Sequence, residues 1–321
     1  RIYSSQYRAV TANDYTGIIP FVYPNVESVT SYGGEELEPP EYGKVFISIK
    51  PKNGSFLSQI TKDDISRQLK QYSIAGIKPE IIDLKYLYVE VDTSVYFNSN
   101  AISDSAELVT SVTKALSSYS QSSDINAFGG RFKYSKIVSL IDDSARGVTS
   151  NITKVKMRRD ITPEINTFAT YELCYGNAFF KQRNGYGIRS TGFNVSNISG
   201  TVYMGDIPTA GTDVGKIIFF KLENNLPLVV KNDAGTIDYV HGEINLDVVN
   251  ITGTSLANGQ IQVEAIPQSN DVIALKDLYL QLDVTNSSVN ALPDVVSSGE
   301  NTSATSYVTT SSYASESIYT R

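Results

Sequence analysis

The change of hydrophobic period near Asp160 constrains the fold of this 321-residue chain more than any other feature of its sequence. Before Asp160, stretches with apolar residues at helical spacing alternate with stretches in which every second residue is apolar. After Asp160, helical spacing nearly disappears and the two-residue period of strands remains. We therefore predict an α+β first half, built of helices packed on short mixed or antiparallel sheets, and a mainly β second half.

Two segments of the first half have the spacing of a helix start. Thr11 and Asp14 can cap each other's backbone amides, which predicts a helix over 12–20 that ends at a proline. Thr61 and Asp64 repeat this spacing, and apolar residues follow them at helical intervals. The sequence therefore predicts a second helix that is capped by Thr61.

The rest of the first half alternates between strand patterns and helix patterns. Residues 87–97 form the clearest half-buried strand, and the apolar stripes of 104–120 and 135–143 predict two further helices. A basic strand over 151–159 closes this half. Its dense charges at 154–159 are expected to line mostly a solvated face, and a patch for an acidic partner is the alternative interpretation.

Local signals in the second half concern strands and turns. The apolar run GKIIFFKL contains a lysine near each end, an arrangement that discourages aggregation at a strand edge. The alternation around 244–251 changes phase at Val249, which predicts a β-bulge. Asn258 and Gly259 precede another alternating run and predict a β-hairpin turn.

The patterns divide the chain into four expected parts. They are a short helix plus a strand pair in 1–52, an α+β domain in 53–159, a mainly β domain in 160–285 and an extended polar arm in 286–321. Alone, the arm cannot bury enough apolar surface to offset its ordering entropy, so it is either a loose end or orders against a partner. Its spaced tyrosines favour the second interpretation. The candidate interface residues are Tyr307, Val308, Tyr313, Ile318 and Tyr319.

Charge and composition exclude several classes of partner. The formal net charge is -7, which argues against nucleic acid and against an anionic membrane, because both require a basic surface. No apolar run approaches the roughly 20 residues that a membrane helix requires. The 21 tyrosines suit half-buried strands and protein interfaces equally well.

The sequence offers little for catalysis, metal binding or cofactor binding. Its one histidine, His241, is expected in a turn, and with one cysteine, Cys174, the chain has too few ligands for a His/Cys zinc site. Adjacent aspartates at 63–64 and 142–143 cannot share a proton, because neighbouring helix residues do not face each other. Neither a nucleophile elbow nor a dinucleotide-binding glycine fingerprint occurs. We predict no enzyme activity, no cofactor and no catalytic or metal-binding residue.

The order of these segments resembles a known family. The helix start RAVTANDY, the strands VESVTSY and GKVFISIKP, the capped helix TKDDISRQL and the long strand YLYVEVDTSVYF resemble the baseplate J-like family of contractile phage tails. The resemblance continues through SAELVTSVTKALSSY, YSKIVSLIDD and ITKVKM, and covers 8–159. Later segments, GKIIFFKL, GTIDYVHGEINLDV and SNDVIALKDLYLQLD, are similar to the C-terminal part of the baseplate wedge subunits of T-even-type phages.

This resemblance implies a non-enzymatic virion component. Such a subunit packs with itself and with other wedge proteins, joins neighbouring wedges into a ring around the tail hub, and takes part in the rearrangement that triggers sheath contraction. The chain begins with Arg1 and is expected to lack the long N-terminal portion of that subunit. Two other interpretations remain open at this point. A tyrosine-rich β protein can be a carbohydrate-binding or adhesin-like tail component, and a peptidoglycan hydrolase would need an acid/base pair.

Overall fold

The computed structural model describes most of the chain and divides it into two compact units. The described residues are 8–37, 39–122, 124–294, 296–297 and 310–311. The first unit comprises the described residues up to Leu87 together with Asn126–Gly130 and Ala274–Leu280. The second unit comprises the described residues of Tyr88–Ile125, Arg131–Ile273 and Gln281–Arg321.

Strands outnumber helices in the described part of the chain. This agrees with the prediction that the second half is mainly β. The helices are α1 (Ala12–Val22), α2 (Gln59–Leu69), α3 (Ser105–Ser120) and α4 (Tyr134–Asp142), with a short 3₁₀ turn at Gly34–Glu36. The strands are β1 (Val26–Gly33), β2 (Lys44–Pro51), β3 (Lys78–Ile82), β4 (Lys85–Phe97), β5 (Ala127–Phe128), β6 (Arg131–Phe132), β7 (Val148–Ile161), β8 (Phe168–Cys174), β9 (Ile188–Ser190), β10 (Phe193–Val195), β11 (Ile198–Pro208), β12 (Val214–Glu223), β13 (Leu226–Asp238), β14 (Glu243–Thr254), β15 (Ile261–Ala265), β16 (Val272–Ile273), β17 (Leu278–Leu282), β18 (Ser288–Pro293), β19 (Val296–Ser297) and β20 (Thr310–Ser311).

The first unit is a three-stranded sheet that packs with α1 and α2. Its strand order is β1-β2-β3, with β1 antiparallel and β3 parallel to β2. Alternate apolar residues of β2 and one stripe of each helix meet in a single buried cluster, which accounts for the alternation seen in the sequence. The buried members of this cluster are Ala9, Tyr15, Ile18, Ile19, Val45, Ile47, Ile49, Ile65 and Leu69.

Both predicted helix starts in this unit can be compared with the structure. Helix α1 begins at Ala12 as predicted, and the carboxylate of Asp14 accepts hydrogen bonds from the N–H groups of Thr11 at 2.8 Å and Val10 at 3.0 Å. The predicted end is wrong, because α1 continues through Pro20 to Val22. A proline in the last turn removes only one internal hydrogen bond, and burial of the preceding isoleucines holds the turn in place.

The predicted cap of α2 is also wrong. Ser58 caps this helix, and its Oγ accepts a hydrogen bond from the N–H of Thr61 at 3.2 Å. Thr61 is therefore not the cap. It lies in the first turn of the helix, three residues after Ser58, and its N–H donates to the cap. The ion pair between Asp64 and Arg67 at 3.1 Å lies on the exposed side of the same helix.

In the second unit, a mixed sheet packs with α3 and α4. The strand order is β17-β4-β7-β15-β9 for the part of β17 that belongs to this unit, and β18 pairs in parallel with β4. Helix α4 packs on β7, while α3 packs on α4 and β18. Alternate apolar residues of β4, β7 and β15 are buried and form the core of the sheet: Val89, Val91, Val95, Val155, Met157, Ile261, Val263 and Ala265.

The second unit also contains a five-stranded antiparallel barrel in the C-terminal half. Strands β10 to β14 follow one another as neighbours, and β14 pairs back to β10, which closes the barrel. Strand β8 attaches to the other edge of β14. The β8–β14 register shifts between Leu246 and Val249, so the predicted bulge is confirmed.

The predicted hairpin at Asn258 and Gly259 is wrong, although the turn is present. Gly259 has a φ of 72° and donates its N–H to the carbonyl of Leu256 at 3.0 Å. However, the flanking strands β14 and β15 do not pair with each other, since β15 pairs with β7 and β9. The turn is therefore a connection from the barrel to the sheet.

Only part of the predicted polar arm lies within the described residues. Ser288–Pro293 form β18, and Val296–Ser297 pair with Thr310–Ser311 in an antiparallel fashion. The five candidate interface residues lie outside the described residues: Tyr307, Val308, Tyr313, Ile318 and Tyr319. Within the described part of the chain, every helix is too short or too polar to cross a lipid bilayer.

Candidate functional site

His241 lies in the turn between β13 and β14, as predicted. Its side chain is 70% exposed, and Nδ1 lies 2.8 Å from Oδ2 of Asp238. The hydrogen bond to Asp238 and the charge of that carboxylate raise the pKa of His241. The same carboxylate accepts the N–H groups of Val240 and His241, both at 2.9 Å. The hydrogen bonds of Asp238 and His241 close the turn.

Three of the four adjacent aspartates, Asp63, Asp64 and Asp142, each have a separate side-chain partner. Asp63 accepts a hydrogen bond from Gln59 at 2.9 Å, and Asp64 pairs with Arg67. Asp142 accepts a hydrogen bond from the side-chain amide of Asn151 at 2.7 Å. Among the described residues, no three His, Cys, Asp or Glu side chains are grouped closely enough to hold a metal ion.

The basic strand differs from its prediction at Arg158. The sequence predicted that charges at 154–159 mostly line a solvated face, yet the side chain of Arg158 is only 4% exposed. Three carboxylates of the second unit, one of them on the same strand, surround its guanidinium and replace the water that the prediction assumed. The acidic partner of this strand therefore lies, at this position, within the same chain.

The guanidinium of Arg158 makes four contacts. It forms an ion pair with Glu90 on β4, and Nε lies 2.9 Å from Oδ1 of Asp160 on β7. Nη1 also lies 3.0 Å from Oδ2 of Asp283, which directly follows β17. The guanidinium carbon lies 4.3 Å from the ring centroid of Tyr88, close enough for a cation–π contact. We call these five residues the Arg158 cluster.

The Arg158 cluster contains more acid than base. Burial raises the pKa of Glu90 to about 7, and the positive charge of Arg158 only partly offsets this effect. Burial also raises the pKa of Asp160. For Asp283, burial acts in the same direction, but hydrogen bonds from Asn286 and the charge of Arg158 outweigh it and lower the pKa. Glu90 is therefore the carboxyl of the cluster that takes up a proton near neutral pH.

A second set of ion pairs continues along the same face of the sheet. Lys156 lies 2.8 Å from Asp92 on β4 and 3.4 Å from Glu264 on β15. The hydroxyl of Ser288 at the start of β18 donates to Asp92 at 2.8 Å. The charges thus cross-link neighbouring strands. Lys156 and Asp92 therefore connect β4, β7, β15 and β18.

The Arg158 cluster was not predicted, although the sequence contains a signal for part of it. Glu90 lies in the predicted strand 87–97 and Arg158 in the predicted strand 151–159, and cross-strand pairing can bring such opposite charges together. Asp283 could not be assigned in the same way, because its proximity to Arg158 depends on the placement of a distant segment.

A different surface is apolar and exposed. The β12–β13 hairpin extends past the part of β13 that pairs with β14, and it turns at Asn224 and Asn225, which have φ values of 52° and 62°. Leu222, Leu226 and Leu228 near this turn are 50%, 69% and 47% exposed. Grouped exposed leucines are typical of surfaces that contact other proteins.

Comparisons with known proteins match the first half of the chain to two C-terminal domains of one baseplate structural protein. Residues 11–82 match the family described as baseplate structural protein gp6, C-terminal domain I. Residues 85–160 match the family described as baseplate structural protein gp6, C-terminal domain III. The two matched segments follow each other along the chain without overlap.

One curated relative and one solved structure are also similar to parts of the chain. The chain is 28% identical over 166 residues to the baseplate wedge protein gp6 of Enterobacteria phage T4, a match that covers 50% of this chain and 24% of the relative. The chain thus spans about a quarter of that relative's length. It is also 16% identical to a chain in the cryo-EM structure of the anti-feeding prophage (AFP) baseplate, with 48% of this chain and 34% of the other covered. The TM-score of 0.36 does not establish a common fold.

Proposed function

We propose that this chain is a structural subunit of a phage tail baseplate wedge. The proposal rests on one observation above all: two consecutive segments, 11–82 and 85–160, match two C-terminal domains of a baseplate structural protein. A single short match could reflect a widely used fold, whereas matches to two domains of the same protein point to a shared role. The similarity to a named baseplate wedge protein supports the same conclusion.

The finer features of this role are part of the proposal. The subunit joins neighbouring wedges into a ring around the tail hub, and takes part in tail assembly and in the rearrangement that triggers sheath contraction. Its partners are further copies of itself and other wedge proteins, with neither nucleic acid nor membrane. It resides in the virion at the tail baseplate, after synthesis and assembly in the host cytoplasm. It acts without enzymatic activity and belongs to the baseplate J-like family of contractile tails.

Features of both units support an assembly role. Each unit has its own buried core, so each can present a firm surface. The β12–β13 hairpin displays three exposed leucines, and the Arg158 cluster ties the strands of the second unit together. The proposed division at residues 52, 159 and 285 stays a prediction, as does the polar arm with its interface tyrosines.

The carbohydrate-binding alternative has no comparable support. It rested on the abundance of tyrosine, but at least seven tyrosines are buried in the described part of the chain, where they cannot form an open sugar-binding surface. These residues are Tyr15, Tyr32, Tyr86, Tyr96, Tyr175, Tyr239 and Tyr279.

Co-expression with the other wedge proteins tests the proposal. The chain is expected to co-purify with them, and light scattering after size exclusion should show a complex of defined stoichiometry. The matched control is the chain expressed with an unrelated phage structural protein, which should elute separately. If the chain elutes alone in both cases at a protein concentration of about tens of micromolar, the wedge role is wrong.

A further inference from the structure

Strand β18 packs loosely for a strand that belongs to a sheet. None of the six side chains of Ser288–Pro293 is buried. A shallow groove of about 390 Å³ separates β18 from α3, and its walls include Ser94, Ser105 and Val109. On the neighbouring strand, by contrast, Val91 and Val95 are completely buried. Detaching β18 would therefore remove little apolar surface from the core.

Backbone pairing and polar contacts hold β18 in place. It pairs in parallel with β4 over six residues, from Ser288 opposite Asp92 to Pro293 opposite Phe97. At its start, Oγ of Ser287 accepts the N–H of Val91 at 3.0 Å. At the other end, the N–H of Asp294 donates to the carbonyl of Phe97 at 2.8 Å, and Thr149 donates to the carboxylate of Asp294 at 2.9 Å. Any second strand of identical sequence can make every one of these contacts.

The edge of β4 needs such a partner. Without β18, backbone groups of β4 over the paired stretch would lack their hydrogen-bond partners beside fully buried valines. Unpaired backbone groups next to a core are costly, so this edge favours an added strand. Both the edge and the strand that fits it belong to the same chain, which is the condition for exchange between two copies.

The connection before β18 is built as a hinge. The carboxylate of Asp283 accepts the N–H groups of Thr285 and Asn286, both at 3.1 Å, and the side-chain amide of Asn286 at 2.7 Å. The hydroxyl of Ser287 donates to the carbonyl of Asp283 at 2.6 Å. These local hydrogen bonds fold the segment back on itself. Opening these hydrogen bonds would extend the segment and allow β18 to leave the edge of β4.

We propose that β18 exchanges between copies, so that β18 of one copy pairs with the β4 edge of a second copy and the reverse. The exchange joins two copies through contacts that each copy otherwise makes within itself, and the incoming strand takes the position of the chain's own β18 beside α3. This inference deepens the self-association within the proposed function by naming the contact. The partner is a second copy of this chain, and the binding element is its segment 288–294.

Cross-linking between two differently labelled copies tests the exchange. Ser94 and Asn290 are directly opposite in the β4–β18 register, so Ser94→Cys and Asn290→Cys place one thiol on each strand. Both variants are made in a Cys174→Ser background and co-expressed, and the purified full-length chains are treated with a short bismaleimide. Exchange predicts a band of twice the chain mass that contains both variants. The matched control pairs Asn290→Cys with Asp247→Cys, an exposed position on β14 of the barrel, and should give no such band.

A double variant in one chain shows that the thiols can react. The Ser94→Cys/Asn290→Cys double variant should take up one doubly reacted linker for each two thiols, which mass spectrometry distinguishes from two singly reacted linkers. If it does so while the co-expressed pair gives no dimer band, exchange does not occur. If each thiol takes up its own linker instead, the register of β18 on β4 is wrong, and the proposal fails with it.

A change in the hinge provides an independent measurement. Thr285→Pro removes the N–H that Asp283 accepts and favours an extended backbone at the preceding residue. It should raise the cross-linked fraction about fivefold, the effect of losing one ordinary hydrogen bond on an equilibrium. Thr285→Ala keeps the N–H and should leave the fraction unchanged. Equal fractions for the two variants would contradict the proposed hinge.

The outcomes separate this inference from the proposed function. A wedge complex that forms without any mixed dimer band disproves strand exchange and leaves the wedge role intact. A mixed dimer band from a chain that binds no wedge protein supports exchange and disproves the wedge role.

Discussion

Arg158 and Asp283 form an ion pair, with Nη1 3.0 Å from Oδ2, that joins β7 to the segment leading into β18. The two side chains are 4% and 13% exposed, so water screens their attraction only weakly. Asp283 also organises the hinge by accepting hydrogen bonds from Thr285 and Asn286. The charge cluster and the attachment of β18 are therefore parts of one arrangement within the second unit.

Replacement of Arg158 is expected to destabilise the protein strongly. Arg158→Met leaves Glu90, Asp160 and Asp283 buried without their cation, and loss of one partner of a buried ion pair costs about 3–5 kcal/mol. Lys156→Met is the matched control on the same strand, because its ion pairs are more exposed and should be worth below about 1 kcal/mol. The free energy of unfolding in urea measures both. An equal loss in the two variants would show that the Arg158 cluster is solvated.

The raised pKa of Glu90 predicts a pH dependence of stability. Burial raises this pKa from 4.5 to about 7 in the folded protein, so the stabilising contribution of the protonated form is complete below about 4.5 and is lost as the pH rises through about 7. Glu90→Gln keeps the shape and removes the titration. The free energy of unfolding of this variant, relative to the parent chain, should therefore increase from about pH 5 to about pH 8. A difference that stays constant with pH would place the pKa of Glu90 near its ordinary value.

Sequence reasoning was most reliable where the deciding contacts are local. The capping of α1 by Asp14 and Thr11 involves neighbours in the chain, and the bulge at Val249 follows from a phase change that the strand itself displays. The predicted start of α2 was wrong because two nearby hydroxyl residues, Ser58 and Thr61, both suit the cap position. The two correct predictions and the misplaced cap each depend on only a few consecutive residues.

The errors with the largest consequences came from distant contacts. Arg158 was expected to be solvated because its partner Asp283 comes from a segment far along the chain. The turn at Asn258 was predicted to join paired strands, but β15 pairs with β7 instead of β14. Periodicity identifies which face of a strand is apolar, and it contains no information about which strand lies next to it.

Gly235 should be sensitive to any added side chain. It has a φ of 153°, and a Cβ at this position would lie 2.1 Å from the carbonyl oxygen of Asn245 on the neighbouring strand. Gly235→Ala must therefore push β13 and β14 apart, at a cost of about 3 kcal/mol. Gly211→Ala is the control, since φ there is 76° with open space around it, and only the backbone cost of about 1 kcal/mol applies. Thermal unfolding should rank the two variants in this order, and the reverse order would contradict the close approach of the two strands.

Two truncations should separate the contribution of β18 from that of the residues after it. A chain ending at Ser297 keeps β18 and all its contacts with β4, so its free energy of unfolding should match that of the full chain. A chain ending at Ser287 loses six paired residues and the contacts of Asp294, and should be less stable by several times the roughly 1 kcal/mol that one backbone hydrogen bond contributes. It should still unfold cooperatively, because β18 contributes no buried side chain. Loss of cooperativity, followed by circular dichroism in urea, would mean instead that β18 is an integral part of the core of the second unit.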